Sequence, residues 1–273
     1  MKKMFRSILL MLIMCTMFNA VQAQNDSLFR FLKKLDYPVS FFTVGNLGEL
    51  FTIDINNQLK KYDEKGDSAG VYNQVTRHGR LSYVEAQNPW KVILYYQNFS
   101  TIVLLDKYLK EIGSINLRNK NIFRVKAVTT TYDNNIWLYD EQDNKLKKID
   151  DSGNLLSETT DLRQLLDVVP TPQKIFDQDG FVYLYDPANG LYQFDYYGSF
   201  KQKFAFLNWK DFTVIGKVVY GLGEDHLYKY QPPLPELQSM PLPPSLHNSG
   251  HIRLANQQLY ILKDKELSIY WVQ

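Results

Sequence analysis

The stretch "NIWLYDEQDNKLKKIDDSGN", Asn135 to Asn154, decides the fold. From Ile136 to Tyr139 the side chains alternate between two faces and are β-branched, aromatic or aliphatic, the pattern of a strand in a sheet. Glu141-Gln142-Asp143-Asn144 is a polar tetrad that turns the chain. Leu146 to Ile149 alternates again, and Asp-Ser-Gly-Asn at 151–154 forms a second turn in which Gly153 is free to take a positive φ. The stretch is therefore two strands of an antiparallel meander and the turn into a third.

Related phrases recur along the chain: "ELFTIDINNQLKKYDEKGD" from Glu49, "KVILYYQNFSTIVLLDKYLKE" from Lys91, and "FVYLYDPANGLYQFDYYGS" from Phe181. Two weaker copies begin at Val218 and Gln258. Equivalent positions are Asp63, Asp106, Asp150 and Asp195, then Gln231 and Trp271, with steps of 43, 44, 45, 36 and 40 residues. A short apolar run precedes each pair of strands, at Val39–Val44, Leu81–Val84, Val125–Thr129, Ile175–Phe176, Phe212–Ile215 and Ile252–Leu254. Four strands, lettered A to D, repeated at this period predict an all-β, six-bladed β-propeller of four-stranded antiparallel blades. The sixth unit reaches Gln273 with strands A, B and C only. An uncovered strand edge invites intermolecular pairing, so Asp26–Leu35 is expected to close the ring, as a strand or as a short packed helix.

The phrases "IWLYDEQDNKLKKIDDSGN" and "DQDGFVYLYDPANGLYQFDYYGS" resemble the NHL and TolB-like group of six-bladed propellers. Both run from an apolar strand through Asp and a turn to a second apolar strand, Asp and a Gly turn. The second unit lacks Gly in its last turn and the sixth lacks the aspartate. What the resemblance implies is a fold that serves many binding modules and a few enzymes.

The N-terminus reads as a bacterial secretory leader. Lys2, Lys3 and Arg6 precede the apolar run Ser7–Phe18, and Val21-Gln22-Ala23 supplies small residues for cleavage. The expected division is a signal peptide at 1–23 and one propeller domain at 24–273. Met14 ahead of Cys15 argues against lipidation at that cysteine. Cys15 is the only cysteine, so the mature chain has no disulfide, thiol nucleophile or thiolate metal site. Cleavage removes three basic residues and no acid, taking the formal charge from +2 to −1. Overall charge therefore makes no case for nucleic acid, and no later apolar run is long enough to span a membrane.

Catalytic signatures are sparse, and an enzyme is the less favoured reading. His247 and His251 are four apart but flank Asn-Ser-Gly after a proline-rich stretch, so they read as loop histidines and not a metal pair. Asp177-Gln178-Asp179-Gly180 lacks the remaining ligands of a calcium loop and reads as a hairpin turn. Asp150-Asp151 and Glu224-Asp225 fall in turns, and no nucleophile elbow or phosphate loop is present. No cofactor and no metal is assigned.

The basic residues are distributed more tellingly. Arg77, His78, Arg80, Lys120, Arg124, Arg163, Lys174, Lys210 and Arg253 lie in D-to-A connections or early in A strands, which converge on one face of a propeller. A mouth lined by Arg80, Arg124, Lys174 and Arg253, with Trp209 as a stacking platform, is expected to bind an anionic small molecule, an acidic glycan or an envelope protein partner. Trp90, like Trp209, lies near a connection entering a blade, where a ligand is within reach. Trp137 and Trp271 are expected between blades. "QPPLPELQSMPLPPSLHNS", Gln231–Ser249, is expected as an extended or edge-like segment on blade five, because proline removes donors that a strand interior needs. It is also a candidate docking motif. The expected function is that of an exported cell-envelope binding module, periplasmic or outer-membrane associated. The alternatives are an extracellular hydrolase or lyase acting on a sugar or peptide, or a scaffold subunit.

Overall fold

The structure, a computed structural model, describes residues 28–247 and 249–273. The expected leader, its cleavage site and Cys15 lie outside the described residues. β1 (Phe29–Lys34) precedes blade one, which comprises β2 (Val39–Val44), β3 (Leu50–Asp54), β4 (Leu59–Tyr62) and β5 (Ser68–Tyr72). Blade two is β6 (Tyr83–Glu85), β7 (Lys91–Tyr96), β8 (Thr101–Asp106) and β9 (Glu111–Asn116). Blade three is β10 (Val125–Thr130), β11 (Ile136–Asp140), β12 (Lys145–Ile149) and β13 (Leu155–Glu158). Blade four is β14 (Lys174–Gln178), β15 (Phe181–Asp186), β16 (Gly190–Asp195) and β17 (Phe200–Phe204). Blade five is β18 (Asp211–Ile215), β19 (Val218–Leu222), β20 (His226–Tyr230) and β21 (Leu237–Pro241). Blade six is β22 (His251–Ala255), β23 (Gln258–Lys263) and β24 (Glu266–Val272), with β1 as its outer strand. The architecture is thus the six-bladed propeller that the repeats predict.

The segment expected to close the ring does so as a strand. Phe29 pairs with Val272, Arg30 with Trp271 and Lys34 with Ser268, with a bulge between Phe31 and Lys33. The backbone groups of β24 that would otherwise face solvent are thereby paired. The innermost strands β2, β6, β10, β14, β18 and β22 each contact the next around the ring, and β22 contacts β2. Six apolar clusters fill the six seams between blades. Trp137, 1% exposed, lies in the seam between blades three and four. The prolines of Gln231–Ser249 are accommodated at the rim of blade five: β21 is an outer strand, and Pro241 falls at its last position, opposite His226.

The repeated aspartates have one local job. The Oδ1 atoms of Asp63, Asp106, Asp150 and Asp195 each accept hydrogen bonds from the backbone N–H groups two and four residues ahead. That Asx turn reverses the chain between strands C and D. Three residues after the aspartate the backbone is left-handed, at Gly66, Gly153 and Gly198. In blade two the same place holds Leu109, with φ of 64°. Its side chain is buried in the seam between blades one and two, so apolar burial offsets the backbone cost there.

Candidate functional site

Strand A of each blade runs from the D-to-A connection at one mouth of the channel to the A-to-B turn at the other. Three A strands begin with a polar residue before turning apolar: Lys174 in β14, Asp211 in β18 and His251 in β22. The ring closure carries these first positions to the same mouth. There, with Tyr83 and Arg253, they line a small cavity of about 110 Å³.

The cavity is held by charge pairing. Lys174 Nζ donates to Asp211 Oδ1 at 2.5 Å and to the Phe212 carbonyl at 2.5 Å. Burial works against the charge on Asp211, but Lys174, Arg253 and His251 together hold its carboxyl below the usual carboxylate range. Burial pulls the Lys174 ammonium down to about 8, with Asp211 opposing that shift and Arg253 adding to it. Burial also lowers the pKa of His251, favouring its neutral form, and its ring packs edge-on to Phe42 with 4.7 Å between centroids. Asp211 Oδ2 and His251 Nε2 are buried without a hydrogen-bond partner among the described residues. One acceptor and one imidazole nitrogen are therefore left for a molecule that enters the cavity. His251 is not a solvated loop residue, contrary to the sequence reading; it opens a strand that faces the channel. His247, by contrast, sits in the connection before β22, with Nε2 2.8 Å from the Leu242 carbonyl.

Of the predicted site residues, Lys174 and Arg253 come together in this cavity. Arg80 is exposed in a neighbouring groove of about 310 Å³, which shares Phe41 and Tyr83 with the cavity. Lys210 also reaches the cavity, and its ammonium pairs with Glu224 at 2.7 Å. Arg124 is exposed and lines neither space. Trp209 is 4% exposed, stacked on Phe206 at 4.5 Å and on Tyr228 at 5.5 Å in the seam between blades four and five. Its ring is enclosed by protein, so the fold gives it a packing role and no open face. The acids named in turns are also engaged: Asp151 pairs with Lys91 at 2.6 Å and Asp225 with His226 at 2.8 Å.

Among the described residues, two carboxyls have raised pKa values, and they lie on different blades. Burial raises Glu85, which accepts from the Gln87 and Thr130 N–H groups at 2.7 and 3.2 Å. Burial also pushes Asp177 up to about 7, against the opposing hydrogen bond from the Tyr196 hydroxyl. Among the described residues, no three His, Cys, Asp or Glu side chains gather in a metal-holding group, and no helix is long and apolar enough to cross a membrane.

No protein-family model and no curated protein sequence matches the chain. Its similarity is to solved propellers. A streptogramin B lyase aligns over 86% of this chain and 79% of its own, with TM-score 0.59 and 15% identity. The Cps50 (Swd1) β-propeller domain of Myceliophteria thermophila aligns over 90% of this chain and all of its own, with TM-score 0.60 and 10% identity. Virginiamycin B lyase from Staphylococcus aureus aligns over 89% and 83%, with TM-score 0.58 and 14% identity. At these identities the likeness is one of fold. The neighbours include lyases and the Cps50 (Swd1) domain, so the site must supply any functional argument.

Proposed function

We propose that this protein is an exported envelope binding module of the NHL and TolB-like kind, which captures an acidic group at the D-to-A mouth of its channel. The observation that supports this is the adjoining pair of spaces lined by Arg80, Lys174, Lys210 and Arg253: Asp211 pairs with Lys174 and Glu224 with Lys210, which leaves Arg80 and Arg253 as the cation excess. A cation excess in a partly desolvated mouth favours a carboxylate or phosphate through charge-assisted hydrogen bonds. The small cavity has room for a headgroup and not for a whole metabolite, so the remainder of the ligand or partner lies in the Arg80 groove or beyond it. Asp211 Oδ2 and His251 Nε2 then meet a hydroxyl or ammonium beside the acidic group.

The test is a thermal-shift titration of the full mature chain with citrate, inorganic phosphate and an acidic peptide. A saturable rise in Tm that is lost in Arg80→Glu and in Lys174→Gln supports the proposal. If no anion raises Tm, or the rise persists in both variants, the anion site is wrong. Export is tested separately: cell fractionation with mass spectrometry of the N-terminus should recover an envelope form beginning at Gln24.

A further inference from the structure

At the opposite mouth the chemistry changes from charged to amide and aromatic. The A-to-B turns there line two polar grooves of about 590 and 300 Å³, which share Asn46, Gln87 and Gln178. The larger groove carries Trp90, Tyr132 and Tyr196 on its wall, together with Asn88, Asn134 and Asp177. Trp90 is 65% exposed and Tyr132 is 67% exposed. Tyr132 and Tyr196 stack with 4.2 Å between centroids and 28° between planes. Large aromatic faces left in water beside a cleft are costly to maintain, and they suit a ligand that has an apolar face of its own.

The polar atoms narrow the class. Asn and Gln each offer donors and an acceptor, which matches the dual character of a hydroxyl group. Two acceptors in the groove, Gln87 Oε1 and Asp177 Oδ2, are buried without a hydrogen-bond partner among the described residues. Asp177 Oδ1 is already engaged, accepting from Tyr196 Oη at 3.0 Å. No lysine or arginine lines the larger groove, and its charged residues are Asp177 and Asp179. Lys107 lies 4.6 Å from the centre of the Trp90 ring, and most of the indole is open nonetheless. Lys148 lies 5.7 Å from the centre of the Tyr132 ring, and Arg253 lines the smaller groove. The larger groove itself carries no cation on its wall and presents acceptors to O–H donors.

We infer that the A-to-B mouth holds a second binding site, centred on the larger groove, which takes a neutral saccharide. Trp90 and Tyr132 stack on the C–H faces of pyranose rings, while Gln87 Oε1 and Asp177 Oδ2 accept hydrogen bonds from ring hydroxyls. The two connected grooves have room for more than one sugar unit. A glycan with carboxylates would place like charge against Asp179, and against Asp177 once pH exceeds about 7, and belongs at the other mouth.

The experiment titrates neutral oligosaccharides of glucose, xylose, mannose and N-acetylglucosamine into the full mature chain. Binding is read from the change in Trp emission that Trp90→Phe removes, since Trp90 is exposed, Trp137 and Trp209 are enclosed and Trp271 is half-buried on blade six, and then from calorimetry. The expected result is saturable binding in about the micromolar to millimolar range. Calorimetry should show Kd rising at least about tenfold in Trp90→Ala and in Gln87→Ala, with Trp90→Phe retaining most of the affinity. Circular dichroism and melting of each variant verify that the fold is kept. Absence of binding by every neutral oligosaccharide overturns the inference, as does binding that Trp90→Ala and Tyr132→Ala leave unchanged. Binding of a peptide or an acidic glycan with the same dependence on Trp90, and no neutral sugar, overturns the saccharide assignment and keeps the groove as a site. Trp90, Tyr132 and Gln87 line neither space at the other mouth, so their variants leave the anion titration there as an independent measurement.

Discussion

Asp177 shows how a turn residue acquires chemistry from its surroundings. Its tetrapeptide reads as a hairpin turn, and the structure agrees: Gln178 pairs with Phe181, and Asp179 and Gly180 both have positive φ. Burial beside Tyr196 nevertheless lifts its carboxyl to about 7. A carboxyl with a raised pKa binds its proton more tightly when folded. Its contribution to stability is therefore complete below about pH 4 and is lost as pH rises through about 7. The shift sets a ceiling of about 4 kcal/mol, lowered by the water that reaches a half-buried group. Asp177→Asn stays neutral, so its urea midpoints between about pH 4 and 8 should lack the decline seen in wild type. Parallel pH profiles for the two proteins would refute the assignment. No pattern of residues foretold this shift, because Asp177 is buried beside groups distant in sequence, Tyr196 of the C-to-D turn and Tyr132 and Asp133 of the neighbouring blade.

At the scale of elements, strands B and C and the Asx turns between C and D were legible because their determinants are local. Alternation, an aspartate and a left-handed glycine act within a few residues of one another. Trp209 was misjudged as a platform because the residue that decides its fate is Gly221, in the neighbouring strand β19. A Cβ at Gly221 would lie 2.2 Å from the Trp209 ring. The absence of a side chain there is what admits the indole into the seam. Gly221→Ala should destabilise the protein by about 1–3 kcal/mol through overpacking, lowering Tm by several degrees. Adding Trp209→Phe should recover part of the loss, which a double-mutant cycle of denaturation midpoints would measure as coupling. Simple additivity would mean that the two positions do not compete for the same space.

The whole molecule depends on a closure made by the start of the described chain with its end. Phe29 of β1 is 6% exposed and belongs to the cluster between blades five and six. Phe29→Ala should cost about 3–5 kcal/mol. The loss should be local first: amide exchange should accelerate in β24 and β23 while blades two and three stay protected. Uniform acceleration across all blades would show instead that closure and global unfolding are one event. The two mouths are a second property of the whole. Every A strand carries its first residues to a charged end and its last residues to an amide-rich end, so one ring presents two different surfaces.

By itself the sequence determined the number of blades, the meander within each and the need for a closing strand, because periodicity and turn chemistry act over short distances. Only the tertiary structure decided that Lys174 meets Asp211 and His251, that Arg124 stands apart, and that Trp209 is enclosed while Trp90 is open. Those outcomes depend on which residues of separate blades share the axis or a seam. That neighbourhood is set by ring closure and packing, and no single repeat contains it.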